Sequence, residues 1–316
     1  MSRIHARLAP RVRKTLPQPV HDFVRDRYHD ARTLARRNPG RGRLLPDFIV
    51  IGAAKSGTTT LYGALSRHPF VRPCVADDAY FLGTKEIRFF DWGYSRGEDW
   101  YRSHFPLERE RDEFAREQGR PFLTGEGSPS YIAHIWTPPR IRQLLPEVKL
   151  IAVLRNPVDR AYSQFQMSRK EGVENLESFE EAIAREEDRL RPEVDRMTAD
   201  PYYTSWDYGS WSYLTRSRYA EQVERWLAHF PREQLLFLRA EDLFVEPQQV
   251  LDRTHEFLGL PVHRYESITP MNPGAYDDVI PRETRARLAA YFRPHNDRLR
   301  ELTGVDFGWD RASVAV

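Results

Sequence analysis

The chain has 316 residues, a formal net charge of +2, 30% charged and 40% hydrophobic residues, and 12% aromatics. This composition excludes a disordered protein, and the near-neutral charge argues against a surface given over to nucleic acid. No apolar run reaches bilayer length, the N-terminal arginines precede no apolar signal region, and the single cysteine, Cys74, excludes an intrachain disulfide.

A cytoplasmic protein is therefore expected, with Cys74 as inert packing and length enough for one large α/β domain or two small ones. Residues 1–45 form a basic arm in which Val20, Phe23, Val24, Tyr28, Ala31 and Leu34 approximate a helical stripe, stopped by Asn38-Pro39-Gly40. Such a segment can make weak contact with an anionic membrane surface. The alternative is a solvated arm resting on the domain, and the short apolar face favours it. The domain proper spans 46–316.

Phe48–Ile51 is an apolar, β-branched run of the kind that forms a buried parallel strand, and a helix is predicted over about 58–67. Residues 98–118 read as a helix with surface loops, and Thr124–Tyr131 as a small-residue loop. A short helix follows over 138–145, then a second strand over 148–154. Asn156-Pro157 caps a helix that runs to about Glu171. Helices are expected over 179–190 and 213–230, a third strand over 235–238, and a helix over 247–258 closed by Gly259. Residues 267–280 read as a loop before helices near 282–292 and 294–303. Alternating strands and helices define an α/β fold with a central parallel sheet flanked by helices, a P-loop-like three-layer sandwich.

The chemistry concentrates at strand ends. Gly52-Ala53-Ala54-Lys55-Ser56-Gly57-Thr58-Thr59-Thr60 joins a strand to a helix N-terminus, where free N–H groups and the helix dipole favour an anion. The two glycines have the spacing of a Walker A loop, but Thr58 stands where that motif has lysine, and the lysine lies inside the loop at Lys55. The loop points to a phosphate-bearing ligand and only weakly to ATP; a glycine turn with no ligand is the bland alternative. Arg155 ends the second strand, with Ser163 about two helical turns on. The pair offers a second phosphate site, or else Arg155 caps the helix and pairs with Asp159 or Glu171.

Together, Lys55–Thr60 and Leu154-Arg155-Asn156-Pro157-Val158-Asp159-Arg160-Ala161-Tyr162-Ser163 resemble the two nucleotide segments of sulfotransferases that use 3′-phosphoadenosine 5′-phosphosulfate (PAPS). The likeness is to the branch that contains the heparan sulfate O-sulfotransferases and their bacterial relatives. It extends through Lys85–Asp91, Gly125–Tyr131, Tyr219–Pro231 and Phe292–Trp309. The resemblance implies that Lys55, Ser56, Gly57, Thr58, Thr59 and Thr60 hold the 5′-phosphosulfate, with Lys55 stabilising the leaving group. It implies that Arg155 and Ser163 bind the 3′-phosphate, that Glu86 is the general base, and that no metal is required. The implied acceptor is a hydroxyl on a carbohydrate or small molecule.

Two positions depart from the heparan enzymes. Arg88 stands where they have histidine, and Gly127 where they have lysine, so Arg88 is free to pair with Glu86 or to meet an anionic acceptor. Glu126 reads as a structural acceptor; His104 and His134 are isolated histidines, secondary to Glu86. Tyr202, Tyr203, Trp206, Tyr208 and Trp211 suit either a ring-stacking wall or core packing. The rival readings are a P-loop kinase, with Glu241-Asp242 as the nearest magnesium ligands, and a non-catalytic nucleotide-binding protein.

Overall fold

Strand β1 (Phe48–Gly52) occupies the centre of a five-stranded, all-parallel sheet in the computed structural model, which describes residues 40–74, 86–268 and 280–310. Most of the basic arm lies outside the described residues. The other strands are β2 (Val71–Pro73), β3 (Leu123–Gly127), β4 (Lys149–Leu154) and β5 (Leu235–Arg239), in the order β2-β3-β1-β4-β5. Every residue of β1 is buried, because strands flank it on both edges and helices cover both faces. Its sequence is accordingly apolar without alternation.

Helices follow the strands: α1 (Thr58–Leu65), α2 (Glu98–Arg102), α3 (Glu108–Gln118), α4 (Thr137–Leu144), α5 (Pro157–Lys170), α6 (Phe179–Ala184), α7 (Glu186–Ala199), α8 (Trp206–Trp211), α9 (Tyr219–Leu227), α10 (Ala240–Val245), α11 (Pro247–Leu258) and α12 (Arg282–Thr303). The three strands expected from sequence are present. Two more, β2 and β3, are not legible as apolar runs.

Strand β3, Leu-Thr-Gly-Glu-Gly, corrects the loop expected over Thr124–Tyr131. The small residues are a packing requirement: a Cβ on Gly125 would stand 2.6 Å from both the Phe48 ring and the Phe48 carbonyl, its register partner. Pairing with β1 and β2, not side-chain propensity, makes this segment a strand.

The helical expectations need four adjustments. Residues 98–118 form two helices, 179–190 becomes α6 and α7, and 213–230 contracts to a 3₁₀ turn at Thr215–Ser217 followed by α9. The pair of helices expected on either side of Pro294 is one helix, α12. Proline removes one helical hydrogen bond and crowds the preceding turn. Here Phe292 and Leu299, both fully buried, anchor the helix on either side of it.

Two apolar clusters organise the interior. The larger wraps the sheet; the smaller joins α5, α6 and α12 through Val158, Phe165, Phe179, Tyr213 and Phe292. The sheet order also fixes where a ligand can sit. The chain leaves β1 towards the β2 edge and leaves β4 towards the β5 edge, so the crevice beyond the carboxyl ends of these neighbours is a topological switch point.

Candidate active site

The loop after β1 is shaped by two left-handed residues, Lys55 (φ 71°) and Gly57 (φ 85°). Glycine is needed at 57 on a second count, since a Cβ there would lie 2.9 Å from the Phe244 ring. Gly57 is the N-cap of α1 and no side chain caps that helix. The first turn of α1 thus opens on the crevice without an N-cap side chain, the arrangement that suits a phosphate. Ser56, Thr58 and Thr60 are buried and Thr59 is partly exposed.

Lys55 is drawn back over the loop, its Nζ 3.3 Å from Met167 Sδ on α5. A thioether is a weak acceptor, which an anion would readily replace. Burial lowers the Lys55 pKa; Glu171 opposes this, while Arg155, Arg160 and Lys170 add to it. Positive charge thus accumulates around Lys55.

The loops after β1 and β4 meet directly: Arg155 Nη1 donates to the Lys55 carbonyl at 3.3 Å, and the Arg155 carbonyl accepts from Tyr219 Oη at 3.0 Å. Asn156 caps α5 by accepting from the amides of Val158 and Asp159, as its sequence position implies. The pairing of Arg155 with Asp159 considered above does not occur, because Asp159 holds Arg285 at 2.7 Å. Ser163 lies buried on α5 two turns in from the cap.

Sequence reasoning passed over Arg160, which is fully buried. It donates from Nε to Ser217 Oγ at 2.6 Å and from Nη2 to the Tyr213 carbonyl at 2.5 Å, tying α5 to the segment before α9. Its place inside the Arg155–Ser163 motif was the available signal. Glu241 accepts from the Asn156 amide at 2.8 Å and from Trp309 Nε1 at 3.2 Å, and Asp242 holds Arg239 at 2.9 Å. Both carboxylates are therefore engaged in fixing the β4–α5 junction and the end of β5. Among the described residues, no cluster of His, Cys, Asp and Glu is arranged to hold a metal ion.

Glu86 lies at the start of the segment on the β3 side and is partly buried. Two residues on, Arg88 adopts a left-handed conformation (φ 56°), and its amide donates to Ser128 Oγ at 3.0 Å just beyond β3. The Arg88 guanidinium forks onto Asp91 Oδ2 at 3.1 and 2.7 Å and lies over the Trp92 ring. Asp91, almost wholly buried, also accepts from Ser130 Oγ at 2.7 Å. Asp91 is thus a partner of Arg88 beyond those considered from the sequence.

Glu126 is the structural acceptor expected. It is fully buried and accepts from Tyr101 Oη at 2.6 Å, Ser128 Oγ at 2.7 Å and Tyr131 Oη at 3.2 Å. Burial pushes its pKa up to about 7, with the three hydroxyl donors pulling the other way. His104 is likewise internal, with Nδ1 2.9 Å from the Trp100 carbonyl.

Beside Asp91 opens a cleft lined by Arg88, Trp92, Ser130, His134, Tyr208 and Arg216. Arg216 is nearly buried and donates to the Gly209 carbonyl at 3.0 Å; burial lowers its pKa, and the charges of Asp91 and Glu86 are among those that raise it. Glu86 is therefore within electrostatic reach of this cleft. The aromatic cluster divides. Tyr208 lines the cleft and Trp206 meets Trp92 edge-on, whereas Trp211 packs against the smaller apolar cluster under Arg189. Tyr203 bonds Glu193, and Tyr202 is 65% exposed.

An α/β domain with an uncapped helix N-terminus and a second cation at its switch point has the P-loop-like architecture, with a crevice suited to an anion. A family model described as the sulfotransferase domain matches residues 45–273, and the chain belongs to the sulfotransferase family. Within the family it resembles the heparan sulfate 3-O-sulfotransferase branch. It is 31% identical to human heparan sulfate glucosamine 3-O-sulfotransferase 3A1, over 88% of this chain and 66% of the relative. It is 29% identical to the membrane-associated sulfotransferase kil1 of Dictyostelium discoideum, over 86% of this chain and 68% of the relative. The chain thus spans about two thirds of the length of these relatives. Among solved structures, a sulfotransferase from Alicyclobacillus acidocaldarius superposes with a TM-score of 0.61 at 29% identity, covering 85% of this chain and all of that one.

Proposed function

We propose that the protein transfers a sulfonate group from PAPS to a hydroxyl of a carbohydrate or small-molecule acceptor. The acceptor oxygen attacks sulfur, the bond from sulfur to the bridging phosphate oxygen breaks, and 3′-phosphoadenosine 5′-phosphate leaves. Glu86 takes the hydroxyl proton, because an alcohol is a poor nucleophile until a positioned carboxylate accepts it. Lys55, with the amides and hydroxyls of Ser56–Thr60, stabilises the charge that grows on the leaving phosphate. Arg155 and Ser163 hold the 3′-phosphate, the feature that separates this donor from ATP.

The observation that carries this reading is the direct contact between the Lys55 loop and Arg155 at the ends of adjacent strands. It brings two anion-binding elements together across the switch point, with the Glu86 segment tied to the β3 end on the other side of β1. The human relative's name specifies a glucosamine of heparan sulfate, which supports a sugar as the first acceptor to test.

Calorimetry with 3′-phosphoadenosine 5′-phosphate and with ADP, each with and without magnesium, tests the donor. Tight, magnesium-independent binding of the bisphosphate is expected; preference for ADP with magnesium restores the kinase reading. Transfer from labelled PAPS to pooled acceptors then separates an enzyme from a nucleotide-binding protein. Cytoplasmic residence belongs to the same reading, and cell fractionation checks it. Among the described residues, no helix is long and apolar enough to cross a membrane.

A further inference from the structure

His134 sits in the turn between β3 and α4, with its amide bonded to the Tyr131 carbonyl at 3.2 Å, and is among the residues that line the cleft. The side chain is only 8% exposed, yet neither ring nitrogen has a hydrogen-bond partner among the described residues. A buried polar group in that condition is costly, and natural structures rarely leave one without a use.

The neighbours explain why it is unpartnered. Asp91, the nearby carboxylate, is taken up by Arg88, Ser130 and the Trp92 amide. Arg140 spends its Nη1 on the Phe90 carbonyl at 2.6 Å and its Nη2 on the Pro201 carbonyl. Arg216 donates to Gly209. Burial, reinforced by the charges of Arg140, Arg88 and Arg216 and opposed by Asp91, holds the imidazole pKa down to about 4. Near neutral pH the ring therefore offers one N–H donor and one lone pair, and no charge.

We infer that His134 is an acceptor-binding residue, whose imidazole hydrogen-bonds a hydroxyl adjacent to the one that is sulfonated. The inference rests on the proposed transfer reaction. An uncharged group with one donor and one acceptor matches a hydroxyl, whereas an anionic substituent is matched by the guanidinium of Arg216 in the same wall. The Tyr208 and Trp92 rings supply the apolar faces against which a ring lies. The acceptor class is then a vicinal diol on a ring, and His134 rejects simple alcohols, because they leave its nitrogens unpaired.

The test uses the full chain with PAPS and four acceptors: methyl β-D-glucuronide, methyl α-D-glucopyranoside, 4-nitrocatechol, and 4-nitrophenol as the single-hydroxyl control. Wild-type protein should favour a diol over 4-nitrophenol by about tenfold or more in kcat/KM. His134→Phe should remove that preference mainly through KM, with the affinity for 3′-phosphoadenosine 5′-phosphate kept, and His134→Asn should recover part of it. Survival of the preference in His134→Phe overturns the inference, as does equal use of 4-nitrophenol by the wild type. Loss of nucleotide affinity in both variants also overturns it, since the residue is then structural. Should His134→Phe fail to fold, the His134 ring-nitrogen resonances of the nucleotide-loaded wild type should still shift on adding the best diol; unshifted resonances overturn the inference. Transfer to none of the four, with nucleotide still bound, instead sinks the transferase reading and this inference with it.

Discussion

At the ends of β1 and β4 the crevice proposed to hold the donor is made largely of backbone. The amides of the first turn of α1, the left-handed Lys55 and Gly57, and the Lys55 carbonyl held by Arg155 all belong to two short contiguous segments. Beyond β3, by contrast, the cleft is made of side chains brought from distant segments: Arg88 and Asp91, Ser130 and His134, Tyr208 and Arg216. The first region is held by strand geometry. The second is held by buried polar contacts, chiefly those of Asp91 and Glu126. A cradle of amides tolerates few changes in its loop but is indifferent to the rest of the chain. A side-chain cleft can be altered one residue at a time, and the two departures from the heparan enzymes, Arg88 and Gly127, both fall on that side.

If this contrast is right, substitutions on the two sides should fail differently. The largest effect is expected at Glu86→Gln, where sulfonate transfer should fall about a thousandfold, the range for a lost general base. Nucleotide binding by calorimetry should not move. Normal turnover by that variant would remove Glu86 from the chemistry.

Lys55→Ala should slow the transfer step roughly a hundredfold in single-turnover kinetics, since the lost interaction is with charge that develops in the transition state. A change confined to substrate affinity would make Lys55 a binding residue only. Arg155→Ala should weaken 3′-phosphoadenosine 5′-phosphate by about ten- to a hundredfold, as expected for a charge-assisted hydrogen bond. Its effect on adenosine 5′-phosphate, which lacks the 3′-phosphate, should be small. Equal weakening of both nucleotides would move Arg155 away from the 3′-phosphate.

The smallest effect is on stability against pH, to which His134 and Glu126 on the β3 side make opposing contributions. His134 titrates near 4 when folded against an ordinary 6.5, so below 6.5 the unfolded chain takes up a proton that the native state refuses. Its contribution is lost as pH falls through that window. Glu126 titrates near 7 against an ordinary 4.5, so the native state keeps its proton longer, and stability falls as pH rises from 4.5 to 7. The two slopes oppose each other, leaving a net change on the order of 1 kcal/mol. Thermal melts should show a smaller acid-side loss in His134→Asn and a smaller loss towards neutral pH in Glu126→Gln. Parallel curves for wild type and both variants would contradict the assignment.

The β1–β4 side was legible because each of its motifs is local: Phe48–Ile51 announces the strand, the glycines announce the turn, and Asn156-Pro157 announces the α5 cap. The other side was only partly so. Glu86 was identified from its resemblance to a family pattern, but the Arg88–Asp91 pairing was not foreseen. His134 was noted and set aside, because nothing in one sequence tells whether an isolated histidine will find a partner.

By itself, the sequence determined the α/β class, the central strand, the glycine loop with its displaced lysine, and the family. All of these follow from short-range patterns in which neighbours in the chain are neighbours in space. Only the tertiary structure decided that Leu-Thr-Gly-Glu-Gly is a buried strand, since its conformation is imposed by the approach of Phe48 and not by its own side chains. It alone decided that Glu241 steadies the β4–α5 junction and that the buried His134 ring has no hydrogen-bond partner among the described residues. Those outcomes depend on which long-range contacts exhaust each polar group, and that is settled by packing across the whole domain.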